Sequence, residues 1–275
     1  MKDTISKFFI EQGIEYCSIL KYSACREINP ELCERFGISA KGVILYLVPY
    51  FTAEGENISS YAVGVDYHLV IKRINEELID VLKQKYPTNA FLSFGDHSPI
   101  DERHAALISG LGILGENGLI INKKYGSYVF IGEIITDLEP SENDLADLRE
   151  PEHCLGCGRC KASCPTGILR GEGGECLSAI TQKKGELSDT ETSLMIRCGT
   201  AWGCDICQRV CPYNRHPQKT PISDFYIDPI SRLTRERLDG MKKAEFSRRA
   251  YAWRGRKTIE RNLDLLENAN KNLQN

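Results

Sequence analysis

No run of apolar residues in this chain approaches the ~18–20 needed to cross a bilayer. Its start, Met1 to Ile10, is a mixed amphipathic segment without the apolar stretch of an export leader. Internal repeats of ~20–50 residues are missing too, which excludes solenoids and propellers. Nor is there a strong excess of charge: 35 Lys and Arg stand against 38 Asp and Glu, for a net charge of −3. These absences leave a soluble protein, expected in the cytoplasm, whose 275 residues can build one or two domains with a real core.

Near-neutrality hides an uneven distribution. Residues 1–150 carry 14 basic and 23 acidic side chains, residues 151–215 carry 8 and 7, and residues 216–275 carry 13 and 8. An acidic body followed by a basic tail calls for a partner. Within the tail, Lys242, Lys243, Arg248, Arg249, Arg254, Arg256 and Lys257 face one acid, Glu245, and Phe246, Tyr251 and Trp253 lie among them. Such a stretch is either a solvated basic helix anchored by its aromatics or a surface that grips nucleic acid.

Cysteine is what the chain has in abundance, with twelve. Cys154, Cys157, Cys160 and Cys164, the last followed by Pro165, form the C-x2-C-x2-C-x3-C-P run of two-cluster 4Fe–4S ferredoxins. Three thiolates at intervals of three wrap one cubane, and the fourth crosses to a second. The partner run is Cys204, Cys207 and Cys211-Pro212, one ligand short, and Cys176 is best placed to complete it. The expected sets are Cys154, Cys157, Cys160 and Cys211 for one cluster, and Cys164, Cys176, Cys204 and Cys207 for the other. Zinc sites built on paired C-x2-C would leave the x3-C-P tails unexplained. Disulfides suit small secreted domains, and iron–sulfur spacing instead implies a reducing compartment. Cys17, Cys25, Cys33 and Cys198 lie outside this register.

Periodicity predicts an α+β first half. Thr4 to Gln12 reads as a helix stopped by Gly13, and Ile14 to Leu20 as a strand. Gly42 to Phe51 is a nearly continuous apolar run, suited to a strand buried on both faces. A long helix follows the Ser59 loop, with Val70, Ile74, Leu78 and Val81 or Leu82 on one side. Asn89 to Gly95 reads as a short strand, and Ser98-Pro99 as a capped helix start. Leu119–Asn122 and Ser127–Thr136 suggest a hairpin. Gly110-Leu-Gly112-Ile-Leu-Gly115 has the letters of a dinucleotide fingerprint but follows a helix, so a tight glycine turn is the better reading. Residues 139–152, acidic and holding Pro140 and Pro151, read as a linker, dividing the chain at about residues 150 and 215.

Several stretches go further. They are Tyr61 to His68, Asp96-His-Ser-Pro-Ile-Asp-Glu-Arg103, Gly110 to Asn122, Gly126 to Asp137, both cysteine runs with Cys176 between, Cys211-Pro-Tyr-Asn214, and Arg254 to Asn262. Together they resemble the epoxyqueuosine reductases, cobalamin-dependent iron–sulfur enzymes of tRNA modification related to reductive dehalogenases. The resemblance implies a nitroreductase-like corrinoid-binding domain (1–150), a ferredoxin-like domain with two 4Fe–4S clusters (151–215) and a basic helical tail (216–275). It implies Asp96 as proton donor, and Ser59, Ile120 and Ile131 at corrinoid-contacting positions, the isoleucines through main chain or packing. Glu102 and Arg103 read as a structural pair, and His68 and His97 as pocket or surface residues. The implied reaction is reduction of the epoxide of epoxyqueuosine in tRNA to queuosine, with electrons from an external flavodoxin or ferredoxin.

This sequence departs from the family in two places. Fifteen residues join Ala24 to Ala40, too few for the family's additional segment with its corrinoid-touching Arg. Many relatives continue into helical repeats that help hold tRNA, and on one of its two readings the basic tail is expected to take their place. Two other functions stay open: reduction of another epoxide, halide or small electrophile with the same cofactors, and a ferredoxin-type electron-transfer module without a substrate.

Overall fold

The computed structural model describes residues 1–274. Contacts divide the chain into two compact units, Met1–Pro49 with His68–Gly156, and Tyr50–Tyr67 with the chain from Cys157 onward. This grouping differs from a division at residues 150 and 215, because the tail and the stretch 50–67 both join the cysteine-rich segment.

The first unit is built on an antiparallel sheet in the order β1-β2-β6-β3, where β1 is Cys17–Lys21, β2 Gly42–Pro49, β3 Phe91–Phe94 and β6 Val129–Thr136. All eight residues of β2 are buried, as its unbroken apolar run requires. Val43, Leu45 and Leu47 share a core with residues of the helices α2 (Glu31–Arg35) and α4 (Glu102–Ile108). The alternate residue Tyr46 points the other way. Its ring lies 4.5 Å from that of Phe9 in α1 (Lys2–Glu11), and its hydroxyl donates to Asn75 of α3 (Tyr67–Lys85) at 2.8 Å. Asn75, wholly buried, donates in turn to Ser93 Oγ and Glu133 O, so one amide ties α3 to three strands. Opposite Tyr46 on β6 stands Gly132, where any Cβ would overlap the tyrosine ring.

Two local expectations fail for identifiable reasons. The cap of α4 is Asp101, which accepts from His104 N at 3.0 Å, and not Ser98. Ser98 is drawn away because its hydroxyl donates to the buried Glu133, leaving Pro99 ahead of the helix. The expected hairpin does not extend into a ladder either. Ile120–Ile121 forms β5 and pairs with β4 (Ile113–Leu114), whereas β6 is taken by β2 and β3. The turn itself survives as a bridge between Asn122 and Gly126. The glycine stretch after α4 is a turn into β4, and a Cβ on Gly112 would meet Ile120 and the Ile121 carbonyl. Residues 139–152 are held to the first unit by bonds such as Ala146 N to Ile19 O and Arg149 N to Ile108 O.

The second unit is a set of short helices: α5 Arg159–Ser163, α6 Leu177–Thr181, α7 Asp189–Cys198, α8 Ile206–Arg209, α9 Arg235–Asp239, α10 Lys243–Phe246 and the long α11, Arg256–Gln274. Its core gathers Trp202 with Ile58, Leu233, Leu238, Met241, Tyr251, Ile259 and Leu263. Full burial of side chains of this kind stabilises by ~1.5–3 kcal/mol each. The tail thus supplies most of the apolar mass that the cysteine runs lack. Asn262 of α11, wholly buried, donates to both Thr181 O and Ala201 O at 2.7 Å.

Candidate active site and metal centre

In the first unit, the loop after β3 carries Asp96 to the surface, with its side chain 60% exposed. His68, the second residue of α3, brings Nε2 to 3.2 Å from Asp96 Oδ2. Two residues further along the loop, Ser98 Oγ donates to Glu133 Oε1 at 2.7 Å and accepts from Ile100 N at 3.0 Å. Asp96 therefore stands at the rim of a loop pinned from beneath.

Glu133 lies wholly inside, and its Oε2 has no hydrogen-bond partner. Burial pushes its carboxyl up to about 8; the bond from Ser98 works against this and the charge of Glu102 adds to it. Glu102, whose Oε2 is also sealed and unpartnered, is pushed up to about 7 by burial and then by the charge of Asp96; Arg103 opposes the shift and Asp101 adds to it. Three acids are thus coupled from the core outward: Glu133, Glu102 and Asp96. Sequence reasoning missed the part played by His68 and Glu133. An acid at an inward position of a central strand, within an otherwise apolar run, was the available signal.

Of the three residues expected at corrinoid-contacting positions, Ile120 and Ile131 belong to the first unit and Ser59 to the second. Ile120 and Ile131 pack in the core of the first unit, so main chain and flank are what they can present. Ser59 belongs to the second unit, is 2% exposed, and donates its hydroxyl to Asp205 Oδ1; the next amide, Ser60 N, donates to Asp205 Oδ2 at 2.6 Å. Asp205 lies between Cys204 and Cys207, so the loop around Ser59 braces the second cysteine run.

The thiols sort by environment. Cys204 is pushed up to about 12 by burial, with the neighbouring sulfurs of Cys176 and Cys207 contributing, which places these three ligands of one expected set together. Cys164 goes the other way. Burial raises it, but N–H groups of Leu169, Thr166 and Gly167 and the Thr166 hydroxyl outweigh that and draw the thiol below its ordinary range. N–H groups aimed at sulfur are what a cluster thiolate needs. Cys154 is fixed by its N–H, which donates to Leu114 O at 2.9 Å. Among the described residues no three His, Cys, Asp or Glu converge on a single-ion site. A cubane makes no such demand, because each thiolate takes a different iron. The donor set fits 4Fe–4S clusters. Cys17, Cys25 and Cys33 are raised by burial as Cys204 is, and what sets them apart is that they lie outside both cysteine runs, in the first unit. None of the twelve cysteines forms a disulfide.

Residues 153–214 match the family model of the 4Fe-4S double cluster binding domain. An epoxyqueuosine reductase of Gloeobacter violaceus is 33% identical, over 76% of this chain and 69% of its own length. That of Cyclobacterium marinum is 32% identical over 98% of this chain and 96% of its own. The chain belongs to the epoxyqueuosine reductase family. It spans less of other family members, 58% of the Lactococcus garvieae relative and 53% of the Listeria monocytogenes one. The epoxyqueuosine reductase structure from Streptococcus thermophilus matches with a TM-score of 0.75 and 26% identity, covering 97% of this chain and 80% of that one. A structure of epoxyqueuosine reductase with an epoxyqueuosine-modified tRNA-Tyr stem loop shares the fold, with a TM-score of 0.75, 24% identity and coverage of 96% and 80%. The α+β class with an iron–sulfur domain, expected from sequence, is therefore the fold of this chain.

Two expectations follow. Anaerobic reconstitution should give about eight irons per chain. Cys176→Ser should lower iron content and Cys198→Ser should not; the reverse pattern would overturn the ligand assignment. The second concerns Glu133. Its pKa is raised in the folded state, so the stability it contributes is complete below the ordinary value near 4.5 and is lost as pH rises through about 8. Glu133→Gln removes that titration. Urea midpoints should therefore fall less for the variant than for the parent between pH 5 and 8, and equal slopes would contradict the linkage.

Proposed function

We propose that this chain reduces the epoxide of epoxyqueuosine in tRNA to queuosine, with cobalamin and two 4Fe–4S clusters as cofactors. The observation that carries the proposal is a solvent-facing acid, Asp96, held by His68 and a pinned loop, in a family chain that also bears both cysteine runs. When bound, cobalamin supplies low-potential reducing chemistry at a carbon–oxygen bond, and cysteine-ligated clusters, reaching down to about −700 mV, are suited to feed it. The ligands are Cys154, Cys157, Cys160 and Cys211 for one cluster, and Cys164, Cys176, Cys204 and Cys207 for the other. Asp96 acts as general acid toward the epoxide oxygen. Flavodoxin or ferredoxin is the electron donor and the cytoplasm the compartment; no described helix is long and apolar enough to cross a membrane.

The substrate class comes from the fold neighbour solved with a modified stem loop. The tail offers support, though with fewer cations than its composition suggested. Arg249 is buried against Asp228 and Glu245, and Arg256 donates to Leu238 O and Met241 O and pairs with Glu260. Tyr251 is wholly buried and Phe246 packs beside it. Exposed instead are Lys242, Lys243, Arg248 and Lys257, along with Trp253, over whose ring Arg254 stacks at 3.8 Å.

Asp96→Asn keeps the shape and loses the proton. Turnover on epoxyqueuosine-containing tRNA should fall by about 10²–10⁴-fold with iron and cobalamin content unchanged. Normal turnover would remove the acid role. For the tail, replacing Lys242, Lys243, Arg248 and Lys257 with Gln should weaken tRNA binding. It should also flatten the salt dependence by roughly 0.7–0.9 log units per lost phosphate contact. An unchanged slope would make the tail structural, and a parent that shows no salt-dependent tRNA binding at all would favour a small-molecule epoxide or halide as substrate.

A further inference from the structure

Removing an epoxide oxygen to leave a carbon–carbon double bond consumes two electrons and two protons. Both carbon–oxygen bonds break, two O–H bonds form on the same oxygen, and it leaves as water. The electrons come from the low-potential donor through the cofactors. Asp96 holds one proton, which serves to open the ring. A second must then reach the same oxygen while the substrate covers the site and keeps bulk water away.

We propose that His68 supplies the second proton, passing it from Nε2 to the emptied Asp96 carboxylate, which then donates again. This rests on the reading of Asp96 as general acid. The geometry meets the requirement directly, since Nε2 of His68 is 3.2 Å from Oδ2 of Asp96, a distance a proton crosses without an intervening water. The two groups are differently mounted. Asp96 rides the loop pinned by Ser98, and His68 sits in the first turn of α3, whose Asn75 is locked into the sheet. The side chains are 48% and 60% exposed in the free chain, so both exchange protons with water before substrate arrives. After the first transfer Asp96 is an anion facing an imidazolium; His68 then returns it to the neutral acid, and delivery of that proton leaves a carboxylate beside a neutral imidazole, both reloaded from solvent when product leaves.

The surrounding charges favour this order. Asp96 faces His68 from α3 and Glu102 from α4, and Glu102 in turn faces Asp101 and Arg103. One turn along α3 from His68, Lys72 is engaged with Glu76 at 3.8 Å. The sealed Oε2 of Glu102 makes no hydrogen bond, whereas His68 touches the donor it would refill.

The test separates the two roles. His68→Gln retains a side-chain amide and holds no transferable proton. It should lower kcat on epoxyqueuosine-containing tRNA by about 10²-fold with KM unchanged. In the parent, turnover should be lost as pH rises through the titration of His68, and this alkaline limb should vanish in the variant. Added imidazole should restore turnover in His68→Gly. A second readout needs no cofactor: in the chain without cobalamin, the NMR titration of His68 should move to lower pH by about half a unit to one unit in Asp96→Asn. A His68→Gln enzyme with parental kcat and alkaline limb would overturn the proposal, as would a His68 titration indifferent to Asp96. If Asp96→Asn itself turns over normally, the general-acid reading falls and this one with it. An inactive Asp96→Asn beside a normal His68→Gln removes the second-proton role alone.

Discussion

Burying an ionised carboxylate without hydrogen bonds is costly, and Asp205 meets that constraint by reaching across 146 positions to Ser59 and its neighbour Ser60. Much else in the second unit follows from this contact. It fastens the stretch 50–67 to the second cysteine run, beside the parallel bridge of Ile58 with Trp202. That bridge aligns the peptide groups around Ala201, Trp202 and Ser59, and Asn262 then closes on Ala201 from the tail. Loops rich in cysteine and glycine bury little apolar area of their own. They are held because segments from before and after them in sequence condense around Trp202.

The legible parts of the sequence were those where one physical signal acted alone. Ligand spacing specified the cysteine runs, because cubane geometry admits few alternatives. The unbroken apolar run of β2 and the regular stripe of α3 likewise announced a central strand and a long amphipathic helix, and both are present. Where two partners compete for one group, the local rule lost. Ser98-Pro99 has the letters of a helix start, but a buried glutamate 35 positions away outbids the helix for the serine hydroxyl. The residues near 120 and 129 looked like two arms of a hairpin, until the long strands of the sheet claimed β6.

The site shows the same division. Asp96 was visible only through the family resemblance, since an aspartate in a turn is ordinarily structural. Its contact with His68 joins residues 28 positions apart, and no periodicity encodes that. The tail shows the converse. Its composition offered seven cations for a nucleic-acid surface, yet Arg249 and Arg256 are spent neutralising or capping groups within the unit. A count of charge in sequence measures what is present and not what is available.

The order of the sheet has a consequence for how the chain survives in a crowded cell. Its two longest and most apolar strands, β2 and β6, are eight residues each and lie in the middle. The edges are given to β1 and β3, with five and four residues, and β1 ends on Lys21. A neighbouring molecule seeking strands to pair with would find only short edges, one of them closed by a cation, while the sequences best able to template a growing β-assembly stay sealed between their partners.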